Sequence, residues 1–250
     1  MMQKFFQKID PFVVFCFDMH DFACEVIAKN FLLIKRGMLA AAYLSLFWIF
    51  FPEMRKSFGS LAEAMLLFIL FLSPTAKIFR MRLLAQLMGL RREFGILMGC
   101  FALVHGVTYF LDPATFSLDI APYLNTNFFS MPPLFYFGIL SLILTLPLLA
   151  TSNSFSLRFL GNKKWKILHR IVYILLLTVL LHVFFLRSRR GGYDVVELIQ
   201  PLSIIFSYAL LKALAWKNFI KPLRDIIASV NERYERYALA KNEGNAYADL

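Results

Sequence analysis

Six apolar runs dominate this sequence, at roughly Phe31–Phe51, Leu61–Phe79, Phe94–Leu111, Pro132–Ala150, Trp165–Leu186 and Val195–Trp216. A helix needs about 20 mostly apolar residues to cross the hydrocarbon layer of a bilayer. In lipid, each backbone N–H and C=O must be satisfied within the protein, which leaves the helix as the element for runs of this length. The expected fold class is an all-α integral membrane protein with six transmembrane helices.

Charge then sets the orientation. The chain carries a formal net charge of +11, which in a soluble protein would point to nucleic acid. Here the basic residues lie between the apolar runs, so they read as orientation signals and no nucleic-acid partner is expected. Lys77 lies at the end of run two, Arg80, Arg82, Arg91 and Arg92 lie between runs two and three, and Arg158, Lys163, Lys164 and Lys166 precede or open run five. The connection between runs three and four contains Asp119 and no Lys or Arg. The basic connections are therefore expected in the cytoplasm, together with the N- and C-termini. Arg55, Lys56, Arg187, Arg189 and Arg190 fall on the opposite, outer side and need another reason.

The chain ends divide off from the spans: residues 1–30 as an N-terminal interfacial segment, 31–216 as the six-helix domain, and 217–250 as a cytoplasmic tail. MMQKFFQKIDP has no signal-peptide layout, so the N-terminus is expected to stay on the protein. Asp10-Pro11 reads as a helix start. Asp18, Asp21 and Glu25 share one helical face, which predicts a helix lying at the membrane surface, with His20 on its solvated side. In the tail, Phe219, Leu223, Ile226, Ile227, Val230, Tyr234 and Tyr237 fall close to one face, which predicts a C-terminal amphipathic helix. Cys16, Cys24 and Cys100 form no CxxC pair, which argues against a disulfide framework or an iron–sulfur site.

Ionisable side chains inside spans are costly and are functional candidates. The stretch KKWKILHRIVYILLLTVLLHVFF, Lys163 to Phe185, reads as one helix with His169 near its start and His182 near its end. His105 lies late in run three. Runs three and five point the same way, so His105 and His182 should sit at similar depth near the outer face. Two helices can there grip one haem iron from opposite sides, or the rings can simply be a hydrogen-bonded pair. His169 lies at the inner end, where the matching depth in run three is near Arg92. Thirteen residues separate His169 from His182, a rise of about 20 Å and a rotation of about 220°, so periodicity alone does not stack two haems. Phe101, Phe110, Phe184 and Phe185 can supply an apolar pocket. Arg187, Arg189 and Arg190 outside, and Arg92 and Arg170 inside, can meet haem propionates or lipid headgroups. A different class, a small transporter relaying protons through its intramembrane histidines, uses the same residues.

The motif RREFG (Arg91–Gly95), His105, TSN (Thr151–Asn153), Arg158, Leu160-Gly161, Trp165, LHR (Leu168–Arg170), Tyr173 and His182 resembles the ferric-reductase-like transmembrane domain. Within that superfamily it is most similar to the haem-binding membrane subunits of bacterial methionine sulfoxide reductase systems, the MsrQ or YedZ type. The resemblance spans roughly Gly37 to Trp216. It implies a six-helix cytochrome b in the bacterial inner membrane, with His105 and His182 as axial ligands of one haem b. His169 would be the third family histidine, with room for a second haem. The implied donor is quinol or a reduced flavin such as FMN, through a flavin reductase. The implied acceptor is a periplasmic molybdenum-containing reductase that repairs oxidised methionine. A haem subunit feeding a ferric reductase or another transmembrane redox system is the neighbouring reading. With no FAD/NADPH domain in the chain, the catalytic partner is expected to be a separate polypeptide.

Overall fold

The computed structural model describes residues 11–125, 131–191 and 195–216, together with positions 225, 229 and 232. Every regular element among the described residues is helical. The main helices are α1 (Pro11–Lys29), α2 (Phe31–Ser45), α3 (Arg55–Phe79), α4 (Arg82–Gly89) and α5 (Arg91–Leu111). They are followed by α6 (Pro133–Ala150), α7 (Ser154–Leu168), α8 (Ile171–Gly191) and α9 (Val195–Ala215). Six stretches among the described residues are long and apolar enough to cross a membrane: Phe31–Phe50, Pro52–Phe79, Arg91–Leu111, Pro133–Ala150, Ile171–Ser188 and Leu198–Ala215. These match the six apolar runs, and the protein is a multi-pass, all-α membrane protein. Asp10, the amphipathic tail from Lys217 and the side chains of Arg189 and Arg190 lie outside the described residues.

Pro74 lies inside α3, which continues to Phe79. One local expectation changes. The Lys163–Phe185 stretch is not one helix: α7 ends at Leu168, a turn at His169 and Arg170 intervenes, and α8 starts at Ile171. The turn is held by short-range bonds, Arg170 N–H to the Ile167 carbonyl (3.1 Å) and Tyr173 N–H to the Arg170 carbonyl (3.0 Å). His169 thus sits before the span rather than in it. Within α7, Gly161 adopts φ 71° and ψ 158°, a conformation that glycine alone takes without strain, and the helix kinks there.

The described residues within 1–31, 72–88 and 210–250 make one compact unit, and those within 32–71 and 89–209 make another. In the first, Cys24 is fully buried and its carbonyl accepts a hydrogen bond from Gln86 Nε2 at 3.0 Å. Burial pushes the Cys24 thiol pKa up.

In the second unit the core runs through Leu66, Ile69, Leu70, Met98, Leu148, Leu175, Leu176 and Leu180. Lipid tails are as apolar as leucine, so these helices associate through close packing and polar contacts rather than by hiding from water. Small residues supply the closeness: Gly99 packs against Leu149, and Gly106 against Leu142. Polar contacts add to it: Ser141 Oγ donates to Thr178 Oγ1 at 2.9 Å between α6 and α8. Large apolar side chains such as Leu44, Phe47, Leu202 and Phe206 are exposed, as a lipid-facing surface requires.

Candidate functional site

Pairing between neighbouring helices fixes where the histidines meet. Gly59 of α3 lies against His105 of α5, and Gly138 of α6 lies against His182 of α8. Further along, Phe58 meets Phe101 and Phe68 meets Phe94, so α3 and α5 are antiparallel. Gly138 with His182 and Ser141 with Thr178 make α6 and α8 antiparallel as well. The result brings the His105 and His182 rings together, with centroids 6.1 Å apart and planes at 73°.

Both rings are held in the same way. His105 Nδ1–H donates to the Arg55 carbonyl at 2.8 Å, and His182 Nδ1–H donates to the Leu134 carbonyl at 2.8 Å. A carbonyl can only accept, so the proton of each neutral imidazole is on Nδ1 and the lone pair is on Nε2. That is the tautomer of a metal-ligating histidine with a hydrogen-bonded outer nitrogen. The spacing fits as well. Two imidazole–metal bonds of about 2.0 Å, plus about 1.1 Å from each nitrogen to its ring centre, put the centroids about 6 Å apart.

Among the described residues, no cluster of three or more His, Cys, Asp or Glu could hold a bare metal ion. Two facing imidazoles suit a metal whose other ligands come with it, as in haem. The Tyr109 ring lies against His105 at 5.4 Å, and phenylalanine pairs lie close by in sequence on the same helices: Phe58 against Phe101 at 5.4 Å, Phe137 stacked on Phe185 at 5.7 Å, and Phe184 beside Phe185 at 5.1 Å.

Arg55 ties His105 to the connection after α5. Its Nη1 donates to Asp112 Oδ2 at 2.6 Å and to Thr115 Oγ1 at 3.2 Å, and its guanidinium lies 4.6 Å from the Tyr109 ring centre. Thr115 Oγ1 also donates to Asp112 Oδ2 at 2.6 Å. The hydrogen bonds from Thr115 and Arg55 hold the Asp112 carboxyl below the usual carboxylate range. This ion pair is the reason that Arg55 needed.

His169 is in another setting. It stacks on Trp165 with centroids 3.9 Å apart. Trp165 Nε1 donates to the Thr151 carbonyl at 2.9 Å, and His169 Nε2 lies 3.2 Å from Thr151 Oγ1. That hydroxyl sends its own proton to the Pro147 carbonyl at 2.6 Å, so the ring nitrogen is the donor. Burial, with the positive charge of Arg91, lowers the His169 pKa, against a hydrogen bond to Thr151 that raises it.

Of the arginines expected at propionates, the side chains of Arg92, Arg170 and Arg187 are among those described. Arg92 is exposed and pairs with its neighbour Glu93 at 3.0 Å, and it is Arg91 that acts on His169. Arg170 is exposed, and so is Arg187, whose charge acts on Glu63 of α3. Sequence reasoning missed Glu93 and Glu63. Glu93 is fully buried beside Lys35 at 3.8 Å, and its Oε2 has no hydrogen-bond partner among the described residues. A lone carboxylate in an apolar run was the available signal for Glu63, and the RREFG motif contained Glu93.

Residues 58–180 match the family model described as "Ferric reductase like transmembrane component". The chain is also similar to proteins named "Protein-methionine-sulfoxide reductase heme-binding subunit MsrQ". It is 27% identical to the one from Cronobacter sakazakii over 205 residues, 77% of this chain and 94% of that protein. It is 27% identical to the one from Polaromonas naphthalenivorans over 168 residues, 63% of this chain and 67% of that protein. With the Agrobacterium fabrum protein the figure is 29% over 144 residues, 57% of this chain and 62% of that one. No solved structure matches.

Proposed function

Because the chain carries a ferric-reductase-like transmembrane domain across residues 58–180, we propose that it is a haem b electron-transfer subunit of the bacterial inner membrane. The observation that carries this reading is the His105–His182 pair, 6.1 Å apart between centroids, each with Nδ1–H on a backbone carbonyl. These two side chains would hold the iron of one haem. When bound, the haem iron supplies one-electron chemistry with no hydride or proton carrier of its own. The protein orients both rings through their backbone hydrogen bonds and sets Tyr109 against His105.

The donor is quinol or a reduced flavin, with FMN as a candidate carrier, on the cytoplasmic side. The acceptor is a periplasmic methionine sulfoxide reductase of the molybdenum-containing kind, in line with the names of the relatives. The hydrogen-bond pattern argues against the proton-relay transporter. A relaying imidazole must take up a proton on one nitrogen and release it from the other, and both Nδ1 protons here end on backbone carbonyls.

The test is the reduced-minus-oxidised absorbance spectrum, with haem quantified per chain, for wild type and for His105→Ala, His182→Ala and His169→Ala. A b-type spectrum lost in the first two variants and kept in the third is expected. An additional partial loss in His169→Ala would count a second haem. Absence of haem from wild type expressed with ample haem would sink the reading. Electron delivery to a purified periplasmic reductase, against delivery to ferric chelates, separates the methionine-repair partner from a ferric-reductase role.

A further inference from the structure

The two histidine sites are built on one plan, which neither the hydropathy nor the histidine spacing announces. In each, the acceptor carbonyl lies four residues before a glycine on the same helix: Arg55 and Gly59 on α3, Leu134 and Gly138 on α6. In a helix that carbonyl also takes the glycine's own N–H. Each histidine ring therefore packs against the helix at the glycine and adds a second hydrogen bond to a carbonyl already in use. The space is only as large as a missing Cβ. A methyl at Gly59 would lie 2.7 Å from His105 Nδ1 and 2.8 Å from its Cε1. A methyl at Gly138 would lie 3.0 Å from His182 Nδ1 and 3.1 Å from its Cε1.

We infer that Gly59 and Gly138 are the paired positioning residues of the haem site, each seating one axial imidazole on a backbone carbonyl and so fixing its tautomer and angle. The inference rests on the haem reading above. A carbonyl bonded to Nδ1–H makes Nε2 a better donor to iron, and loss of such an outer partner typically costs about 10- to 100-fold in metal affinity. The two sites should differ in sensitivity. At 2.7 Å the added methyl forces a shift at the His105 ring, whereas at 3.0 Å the His182 ring has to give by only a few tenths of an ångström.

The experiment compares Gly59→Ala and Gly138→Ala with Gly99→Ala, whose added methyl meets only the flexible Leu149 side chain, at 2.9 Å. The full-length protein is purified with haem, and the rate of haem transfer to a soluble haem acceptor is measured. Transfer should be about tenfold or more faster in Gly59→Ala, less so in Gly138→Ala, and within about twofold of wild type in Gly99→Ala. Equal effects in all three would make the glycines mere packing residues and overturn the inference, as would unchanged transfer in Gly59→Ala. If the alanine variants do not fold, pulsed EPR of oxidised wild type labelled with 15N-histidine decides. Protonated, hydrogen-bonded Nδ1 on both ligands is expected, and its absence on either overturns the inference. A wild type without haem would instead overturn the functional reading beneath it.

Discussion

His105 and His182 on one side, and His169 on the other, are the same side chain held in opposite states. The first two donate from Nδ1 to a carbonyl and keep the Nε2 lone pair open, with another ring 6.1 Å away. His169 uses Nε2 as a donor to Thr151, lies under Trp165 and faces the charge of Arg91. On the proposed haem reading, the pair holds a group between its two rings. The single residue is arranged as a joint between α7 and α8. The difference lies in which nitrogen carries the proton, and that is set by backbone and hydroxyl groups far away in sequence.

The strongest way to break this comparison is to cut out each ring and offer a free one. His182→Gly and His105→Gly should lose the low-spin b-type spectrum, and added imidazole should restore most of it by refilling the vacated ligand position. His169→Gly should keep its spectrum with or without imidazole. Restoration in His169→Gly alone would reverse the assignment of the two regions.

A smaller effect is expected from Arg55→Leu, which leaves the acceptor carbonyl in place but releases it from the Asp112 and Thr115 anchor. Haem transfer should speed up about tenfold. Arg92→Leu, at the His169 end, should leave transfer unchanged. Equal rates in the two variants would mean that the Arg55 network does not steady His105.

How much of this was legible beforehand depends on range. The six spans follow from local hydropathy. The meeting of His105 and His182 follows from span direction, because two helices running the same way place late residues at one depth. The break at His169 and Arg170 did not follow. Its residues are compatible with a helix, and the turn accompanies Trp165 reaching back 14 residues to the Thr151 carbonyl. Arg55 looked like a charge on the wrong side until it met Asp112, 57 residues on. Gly59 and Gly138 carry no mark in sequence that separates them from Gly99 or Gly106. Their role lies in what approaches them. Arg92 shares the depth of His169, but depth does not give helix rotation, and it is the charge of Arg91 that reaches His169.

Beside the pair, Thr178 lies one turn before His182 on α8 and accepts from Ser141. Thr178→Val should cost about 0.6–2 kcal/mol of bundle stability, measured by denaturing-detergent titration. It should leave the haem spectrum unchanged, because the His182 bond to the Leu134 carbonyl does not depend on it. A spectral shift in Thr178→Val would extend the histidine site one turn further than drawn.

The smallest expected effect is a pH profile confined to the other region. His169 has its pKa lowered from the ordinary 6.5, first by burial and then by Arg91. Between those two values the unfolded chain binds more protons than the folded one, so stability rises with pH across that window. The contribution of neutral His169 is complete above about 6.5 and is lost as pH falls through the lowered folded value. Protonated His169 should quench the stacked Trp165, so Trp165 fluorescence follows the titration in a chain with Trp48 and Trp216 replaced by Phe. Arg91→Leu should move the midpoint up, toward but short of 6.5, because burial is the larger cause and remains. The haem spectrum should not move over this range, since neither His105 nor His182 shares a hydrogen bond with His169. A midpoint indifferent to Arg91 would leave burial as the sole cause. A haem spectrum that tracks the Trp165 titration would show that the two regions are coupled.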